Sequence, residues 1–499
     1  MKQHNVSGSG VIPGSLSEPA AAPALGRVLA SRHVTMISIG GVIGGAFFVG
    51  TSTAIASIGP AVVLSYLIAG TIILFVMRML AEMASVLPGT RTFTDFARAG
   101  LGNGAGFVVG WLYWYFWIIV VPVEAIAGAV LLHGLIALPV WLIGSVMIAV
   151  MGTVNLMSAR SYGEFEFWFA SVKVAAIAAF ILLGAAYLLG LGSSHPPGLR
   201  NLYAYGGFMP HGMLAVVSGL TTVFFLLTGA EITTIAAVES RDPARALNKL
   251  TTRVISRIMV FYIVSTLMVV IVVPWNRIVP GEAPFTHALN TMHFPSAGIV
   301  INVVILTAVL SCLNSAFYIT SRVLFTLAAN HDAPAWLVRL NGRQVPARSV
   351  LLGCAAGLVG ILVATWSPGR VFAFLINASG ALIVFVYMLT ACAQIRLRRR
   401  LGGLTPPVRV WWFPWSSYAT IGALIAVLIS MVMSPTMATQ LYVSLAALGL
   451  ALAAYVVLAW RRRRSASRAA SSSALPAANS IDPPITLPHQ QTASGSVGE

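Results

Sequence analysis

Residues 40–46, GGVIGGA, lie inside the first long apolar stretch of the chain and set four glycines within six positions. A glycine in a helix interior costs roughly 1 kcal/mol relative to alanine, so this run predicts a break in the first helix. A second interruption lies in residues 227–231, LTGAE, where a glycine stands near a carboxylate in another apolar stretch. The sequence therefore predicts two interrupted helices.

The composition excludes an ordinary soluble protein. Only 9% of the 499 residues are charged and 58% are hydrophobic, whereas soluble domains carry about 25% charged residues. Apolar stretches of about 20 residues, the length that crosses a hydrocarbon core, recur along the chain. The formal net charge is +17, but the charges lie in short loops rather than on one amphipathic face. We therefore expect membrane lipid around the chain and no nucleic acid.

The apolar runs predict an all-α integral membrane protein with about twelve transmembrane helices. The runs are continuous rather than alternating, which favours helices over the strands of a barrel. The predicted spans are 33–57, 60–83, 105–132, 136–157, 165–191, 212–238, 256–274, 296–328, 350–366, 371–395, 417–433 and 438–460.

Lysine and arginine predict the orientation of these spans. With the N-terminus in the cytoplasm, nearly all of the 30 basic residues fall in inside loops and tails, and only Arg200, Arg277 and Arg370 fall outside. The positive-inside rule therefore predicts that both termini are cytoplasmic. The tails are 1–32 and 461–499, and the second, rich in serine, alanine and proline, is expected to be disordered.

The interrupted spans are the first and the sixth, five helices apart. Glycine-broken helices at corresponding positions of two halves are typical of the substrate site of a secondary transporter. There the N-terminus of a half-helix offers free N–H groups to an anion, and unwound carbonyl groups accept a cation. Close packing is the alternative, since small residues also let membrane helices approach each other.

Three ionisable residues within the spans are candidates for function, because an intramembrane charge costs at least about 2.5–3.5 kcal/mol. Lys173 in span five could load and release a proton, or it could be a permanently paired structural ammonium. Glu124 in span three could bind a substrate ammonium or pair with another span. Glu231 in span six could hold the unwound segment, join proton transfer or be purely structural. A polar stripe in span eight, which includes Ser311, could serve interhelical hydrogen bonds or the transport pathway.

Other residues are interpreted structurally. Glu82 lies four positions after Arg78, which favours a helical ion pair, and Glu164 and Glu166 are expected to cap the start of span five. The aromatic run 111–117 is expected to pack, with one ring facing the substrate path. The three cysteines show no metal-type spacing, and no HExxH or GxSxG pattern occurs. We therefore expect no metal, no cofactor and no enzyme activity.

Several motifs resemble bacterial amino-acid permeases of the amino acid–polyamine–organocation superfamily, over about residues 31–460. They are SRHVTMISIGGVIGGAFFVG (31–50), GEFEFW (163–168), GAEI with AAVES (229–240), PWN (274–276), CLNSAFYITSR (312–322) and DAP (332–334). Within that superfamily, WLYWYFW (111–117), VPVEA (121–125) and FLINASGA (374–381) are most similar to permeases for 4-aminobutyrate (GABA).

The resemblance implies a bacterial cytoplasmic-membrane protein with two inverted five-helix repeats, 33–191 and 212–395, followed by two helices within 417–460. It implies that the substrate meets the two breaks, with its carboxylate on the first helix and its ammonium on sixth-helix carbonyls. The candidate residues are Ile39, Gly40, Ile43, Gly44, Gly45, Glu124, Phe225, Thr228, Gly229 and Glu231. Lys173 would stand where sodium-coupled relatives hold a sodium ion, which favours proton coupling.

Two positions depart from the family pattern. Ala46 replaces a glycine that many members have, which keeps the backbone N–H but narrows the space beside it. Thr228 is a hydroxyl where an apolar residue is expected, and it could contact the ammonium or bond back to its own helix.

These features lead to the hypothesis of import of GABA and related ω-amino acids by proton symport. A proton-coupled permease for proline, basic or aromatic amino acids is the main alternative. A uniporter or channel of the same fold would equilibrate the substrate without concentrating it. A membrane sensor would bind without transport, but the chain shows no dedicated soluble signalling domain.

Overall fold

The computed structural model describes residues 42–87, 92–157, 159–191, 198–229, 231, 243–294, 297–401 and 406–473. Most of the first predicted repeat and of the second lies within these ranges. Ile39 and Gly40, which the sequence places at the substrate site, lie outside the described residues.

The described residues form α-helices joined by turns and short 3₁₀ segments, and none of them lies in a strand. The helices are α1 (Gly45–Ile58), α2 (Val62–Val86), α3 (Phe93–Leu101), α4 (Asn103–His133), α5 (Val140–Met157), α6 (Ala159–Leu188), α7 (Gly212–Ser218), α8 (Leu220–Leu227), α9 (Pro243–Val272), α10 (Pro284–Thr291), α11 (Ala297–Ala329), α12 (Ala347–Ala364), α13 (Pro368–Arg400), α14 (Trp415–Met433) and α15 (Pro435–Ser473).

The helix lengths confirm an all-α, multi-span membrane protein. Within the described ranges, nine helices are long and apolar enough to cross a membrane. Three shorter apolar stretches, Gly45–Ile58, Gly212–Leu227 and Ser256–Val272, coincide with predicted spans one, six and seven. The helices of spans one and six are shorter than a full span, because α1 begins at Gly45 and α8 ends at Leu227, next to the glycines that predict the interruptions.

The C-terminal helix extends further than the sequence suggests. Residues up to Leu452 form one compact unit, and those from Ala453 form a second. Helix α15 runs to Ser473, past position 460 where the last span was expected to end. Arginine and alanine are strong helix formers, which accounts for the continuation into part of the expected disordered tail.

Helix α4 occupies the centre of the bundle. In its most apolar part, 78% of the residues are buried inside the protein, compared with 39% in α5. It packs against α11, α13, α12, α5 and the short α3. A helix enclosed in this way can carry a charged side chain only if other helices supply partners, because lipid cannot.

Glu82 ties the end of α2 to the segment that joins α13 to α14. The sequence pairs Glu82 with Arg78, and in the structure the Glu82 carboxylate also accepts hydrogen bonds from residues distant in sequence. The donors are Gln394 Nε2 at 2.7 Å, Arg398 Nη1 at 2.6 Å and the Val410 N–H at 2.6 Å. The guanidinium of Arg78 lies 4.5 Å from the ring centroid of Trp411. The helical i, i+4 spacing missed this arrangement because the partners come from distant positions in sequence.

Replacing Glu82 with glutamine is expected to lower the stability of the protein by about 1–3 kcal/mol, the cost of losing a buried, charge-assisted hydrogen bond. The apparent melting temperature of the purified protein in detergent measures this. Glu282→Gln, at an exposed position, is the matched control and should melt like the wild type. Equal melting temperatures for both variants would show that the Glu82 contacts do not stabilise the fold.

Candidate substrate site

The first break lies at the N-terminus of α1. Gly44 precedes the helix with extended dihedrals, φ −96° and ψ 178°, and its N–H donates to the Val42 carbonyl at 3.0 Å. The helix therefore begins at Gly45, inside the run where the sequence predicts an interruption. The first N–H groups of a helix lack intrahelical acceptors, and here they point into the protein interior.

The second break follows α8. Thr228 is extended, with φ −65° and ψ 146°, and Gly229 has φ +111°, in the left-handed region that favours glycine. The Thr228 hydroxyl donates to the Phe224 carbonyl at 2.6 Å, which is the bond to its own helix that the sequence left as one of two possibilities. Helix α8 therefore ends at Leu227, where the sequence predicts the interruption of the sixth span, and Gly229 takes a conformation that does not continue the helix.

A tyrosine that the sequence analysis did not select connects the two breaks. The Tyr262 hydroxyl of α9 lies 2.9 Å from the Val42 carbonyl oxygen and 3.1 Å from the Leu226 carbonyl oxygen. Both oxygens lie where the helices are interrupted, so neither depends on a regular helical donor. Tyr262 therefore holds the two unwound segments next to each other.

One buried cavity lies between these segments, and we call it the central cavity. Its lining residues are Val42, Gly44, Ala46, Phe47, Phe116, Trp117, Val120, Glu124, Phe225, Leu226, Thr228 and Cys312. Four residues selected from the sequence, Gly44, Glu124, Phe225 and Thr228, converge on it. Phe116 and Trp117 are the two rings of the aromatic run that reach it, and Cys312, the first residue of the motif at 312–322, lines it without having been selected as a site residue.

Glu124 occupies the N-terminus of α1. Its Oε2 accepts the Gly45 N–H at 3.0 Å and its Oε1 accepts the Ala46 N–H at 3.3 Å. The side chain is buried, and a helix N-terminus stabilises a negative charge. The break therefore already binds a carboxylate, and that carboxylate belongs to the protein.

Lys173 reaches the same break from α6. Its Nζ donates to the Ile43 carbonyl at 2.7 Å and to the Ser311 hydroxyl at 2.7 Å. Ser311 donates in turn to Glu166 Oε1 at 2.7 Å, and the Lys173 Nζ to Glu166 Oε1 distance is 3.9 Å. All three side chains are fully buried. The ammonium thus links the first helix to α6 and α11.

The position of Glu166 differs from the sequence interpretation. Helix α6 begins at Ala159, so Glu166 lies inside the helix rather than at its start, and its side chain is fully buried. Glu166 and Lys173 are seven residues apart, which places them two turns apart on one face of the helix. That spacing was a signal in the sequence that could have identified Glu166 as the partner of Lys173.

Glu231 lies apart from the residues that line the central cavity. Its Oε2 accepts the Gly229 N–H at 2.9 Å, and its Oε1 accepts the Tyr113 hydroxyl at 3.3 Å. Both contacts hold the turn that follows α8. This geometry favours the role of fixing the unwound segment, among those that the sequence left open.

Replacing Gly44 with alanine is expected to impair substrate uptake at least about tenfold. A Cβ at this position would lie 2.7 Å from Glu124 Oε1 and 2.8 Å from Cys312 Sγ, so the buried carboxylate would have to move, at a cost of order 1–3 kcal/mol. Gly422→Ala in α14 is the matched control, because its Cβ meets nothing within 4 Å. Initial uptake rates, normalised to the amount of protein in the membrane, measure the effect. Equal rates for both variants would show that the space beside Gly44 is not used by the substrate.

A bundle of membrane helices, two of them broken around a buried cavity with convergent charges, is the architecture of a secondary transporter. The chain belongs to the amino acid permease family, since the family model described as "Amino acid permease" matches residues 33–468. The fold and the family together define an amino-acid transporter that spans the bacterial inner membrane several times.

Curated relatives cover most of the chain. The "Gamma-aminobutyric acid permease" of Bacillus subtilis is 40% identical over 453 residues, which are 90% of this chain and 96% of the relative. The "Probable GABA permease" of Pseudomonas aeruginosa is 45% identical over 82% of this chain and 87% of its own length. The "Aromatic amino acid transport protein AroP" of Corynebacterium glutamicum is 36% identical over 84% and 92%, respectively.

Proposed function

We propose that this transporter imports GABA and related ω-amino acids by symport with protons. The observation that carries the proposal is the central cavity, in which the N-terminus of α1 binds the carboxylate of Glu124 and so offers a site of the kind that a substrate carboxylate needs. Relatives named as GABA permeases, at 40% and 45% identity over most of their length, support the substrate. The direction follows from the coupling, because a proton gradient directed into the cell drives a symported substrate inward.

Glu124 serves both charged ends of the substrate in this mechanism. The N–H groups of Gly45 and Ala46 donate to Glu124 at 3.0 and 3.3 Å. In the proposed mechanism the substrate carboxylate replaces Glu124 as their acceptor. The displaced Glu124 carboxylate turns to the substrate ammonium, which the carbonyl groups near Phe225 and Thr228 also face. One exchange of carboxylates therefore keeps the helix N-terminus satisfied and provides a counter-charge for the ammonium.

The lining of the central cavity suits the hydrocarbon part of GABA. Phe116 and Phe225 lie against each other with ring centroids 5.7 Å apart, and Val120 and Leu226 also line the cavity. Three methylene groups separate the two charges of GABA, and burying each methylene contributes about 0.8 kcal/mol. An α-amino acid has its two ionic groups on one carbon, so its charges lie closer together than those of GABA.

Lys173 couples the substrate to the proton. The ammonium joins the Ile43 carbonyl of the first break to Ser311 and Glu166, so losing its proton removes the charge from these contacts and weakens the link between the first helix and its neighbours. The Glu166 carboxylate is the proposed acceptor for that proton, because it bonds to the same Ser311 hydroxyl and lies 3.9 Å from the Lys173 Nζ. Alternating access then follows from rocking of the broken helices against the rest of the bundle.

Uptake by the purified protein in liposomes tests this function. Radiolabelled GABA is expected to accumulate when an inward proton gradient is imposed and only to equilibrate without one. Competition should be strongest for β-alanine and weaker for proline, arginine and phenylalanine. Accumulation of another amino acid instead of GABA would keep the transporter and reject the substrate. Equal uptake with and without the gradient would instead reject the proton coupling.

A further inference from the structure

The segment between α13 and α14 carries exposed tryptophans. Trp411, Trp412 and Trp415 expose 41%, 77% and 77% of their surface. Full exposure of an indole ring to water is unfavourable, whereas tryptophan is enriched at the membrane–water interface, where its apolar ring and polar N–H both find partners. Three such rings within five positions place this segment at the level of the lipid headgroups.

The fold enforces the exposure of Trp412. Its φ is +52°, a left-handed conformation that is strained for a bulky side chain and persists only where the surroundings impose it. The Val410 N–H on one side is bonded to Glu82 at 2.6 Å. On the other side the guanidinium of Arg398 lies 4.3 Å from the ring centroid of Phe413. Contacts before and after Trp412 therefore hold its ring outwards.

Three arginines lie near the end of α13, the helix that precedes these rings in the chain. Arg396, Arg399 and Arg400 are exposed and occupy positions i, i+3 and i+4 of α13, which share one helix face. Arg399 Nη2 donates to the Tyr418 hydroxyl at 2.5 Å, so this face adjoins the start of α14. Among the side chains that the structure describes, no carboxylate forms an ion pair with any of the three arginines. Their positive charge is thus available to an outside anion.

We propose that these residues, Arg396, Arg399, Arg400, Trp412 and Trp415, form a binding surface for the phosphate of an anionic glycerophospholipid. The planar guanidinium groups donate paired hydrogen bonds to phosphate oxygens, and the indole rings cover the glycerol and upper acyl carbons. Charge complementarity selects an anionic headgroup over a zwitterionic one, whose own cation the arginines would repel. The surface is separate from the central cavity and does not depend on which amino acid is transported.

A direct binding measurement with the full-length protein tests the proposal. Delipidated protein in neutral detergent is titrated with phosphatidylglycerol or phosphatidylcholine carrying brominated acyl chains, and quenching of tryptophan fluorescence reports the bound lipid. Phosphatidylglycerol should half-saturate at a lower concentration than phosphatidylcholine. Changing Arg396, Arg399 and Arg400 together to glutamine should raise that concentration about tenfold or more, since each basic residue near an anionic surface contributes roughly fivefold. The lysine triple variant, which keeps the charge, should retain the preference.

The same glutamine changes at residues 461–463, three exposed arginines of α15, remove equal charge from another exposed basic run. This control variant should bind phosphatidylglycerol in preference to phosphatidylcholine, nearly as strongly as the wild type does. If both glutamine variants raise the half-saturating concentration of phosphatidylglycerol equally, the effect depends on total positive charge rather than on this surface, and the proposal is overturned. Equal quenching by the two lipids would have the same consequence. Displacement of phosphatidylglycerol by millimolar inorganic phosphate would also overturn it, because the site would then bind free phosphate rather than a lipid.

Discussion

Lys173→Ala is expected to abolish proton-driven accumulation of substrate. Its ammonium bonds to Ile43 and Ser311 at 2.7 Å each and lies 3.9 Å from Glu166. Without the ammonium this site no longer carries a charge that responds to the proton gradient, so the ratio of internal to external GABA should fall to the equilibrium value. GABA accumulation in liposomes under an inward proton gradient is the measurement.

The loss must be separated from misfolding. Counterflow of labelled GABA without a gradient reports a folded, substrate-binding protein and is expected to persist in Lys173→Ala. Arg277→Ala, which removes an exposed cation, is the control for loss of charge and should accumulate GABA like the wild type. Undiminished gradient-driven accumulation in Lys173→Ala would rule out Lys173 as the coupling residue.

Glu124→Gln is expected to act in opposite directions on two ligands. GABA carries the ammonium that Glu124 meets after displacement, so its half-saturating concentration should rise. The expected increase is about 10- to 100-fold, the value of a charged hydrogen bond. Butyrate has the carboxylate without the ammonium, and it should inhibit GABA exchange as well as or better than in the wild type. The amide no longer competes as an anion for the N–H groups of Gly45 and Ala46.

The relative inhibition by GABA and butyrate therefore decides the role of Glu124. Glu282→Gln, at an exposed carboxylate, should change neither. If Glu124→Gln weakens GABA and butyrate equally, Glu124 supports the shape of the cavity without meeting the ammonium. If neither ligand changes, the substrate does not use the N-terminus of α1.

The two breaks show how far the sequence reaches. Glycine has a large intrinsic cost in a helix, and this cost acts within a few residues, so the interruptions at Gly44 and at Gly229 were predictable locally. The all-α, multi-span architecture was predictable for the same kind of reason, because apolar length alone decides whether a segment crosses a membrane. The two inverted repeats remain a prediction from resemblance.

The partners of the charged residues were less predictable. The sequence left Glu124 either to bind an ammonium or to pair with another span, and in the structure it lies on the N–H groups of Gly45 and Ala46 in the first span. Glu82 was paired with Arg78 four positions away, and in the structure it also bonds to Arg398 and Val410, which the sequence did not predict. In each case the sequence identified a buried charge that needs a partner, and packing of distant helices decided which partner it has.

The sequence alone was enough to predict a membrane-embedded helical bundle with two glycine-interrupted helices and a lysine in its interior. These properties follow from hydrophobic length, glycine propensity and the cost of intramembrane charge, all of which act locally. The tertiary structure was needed to show that Glu124 occupies the N-terminus of α1 and that Ser311 links Lys173 to Glu166. It was also needed to show that the Tyr262 hydroxyl lies between the two breaks. Hydrogen bonds between helices depend on distances that no local pattern specifies.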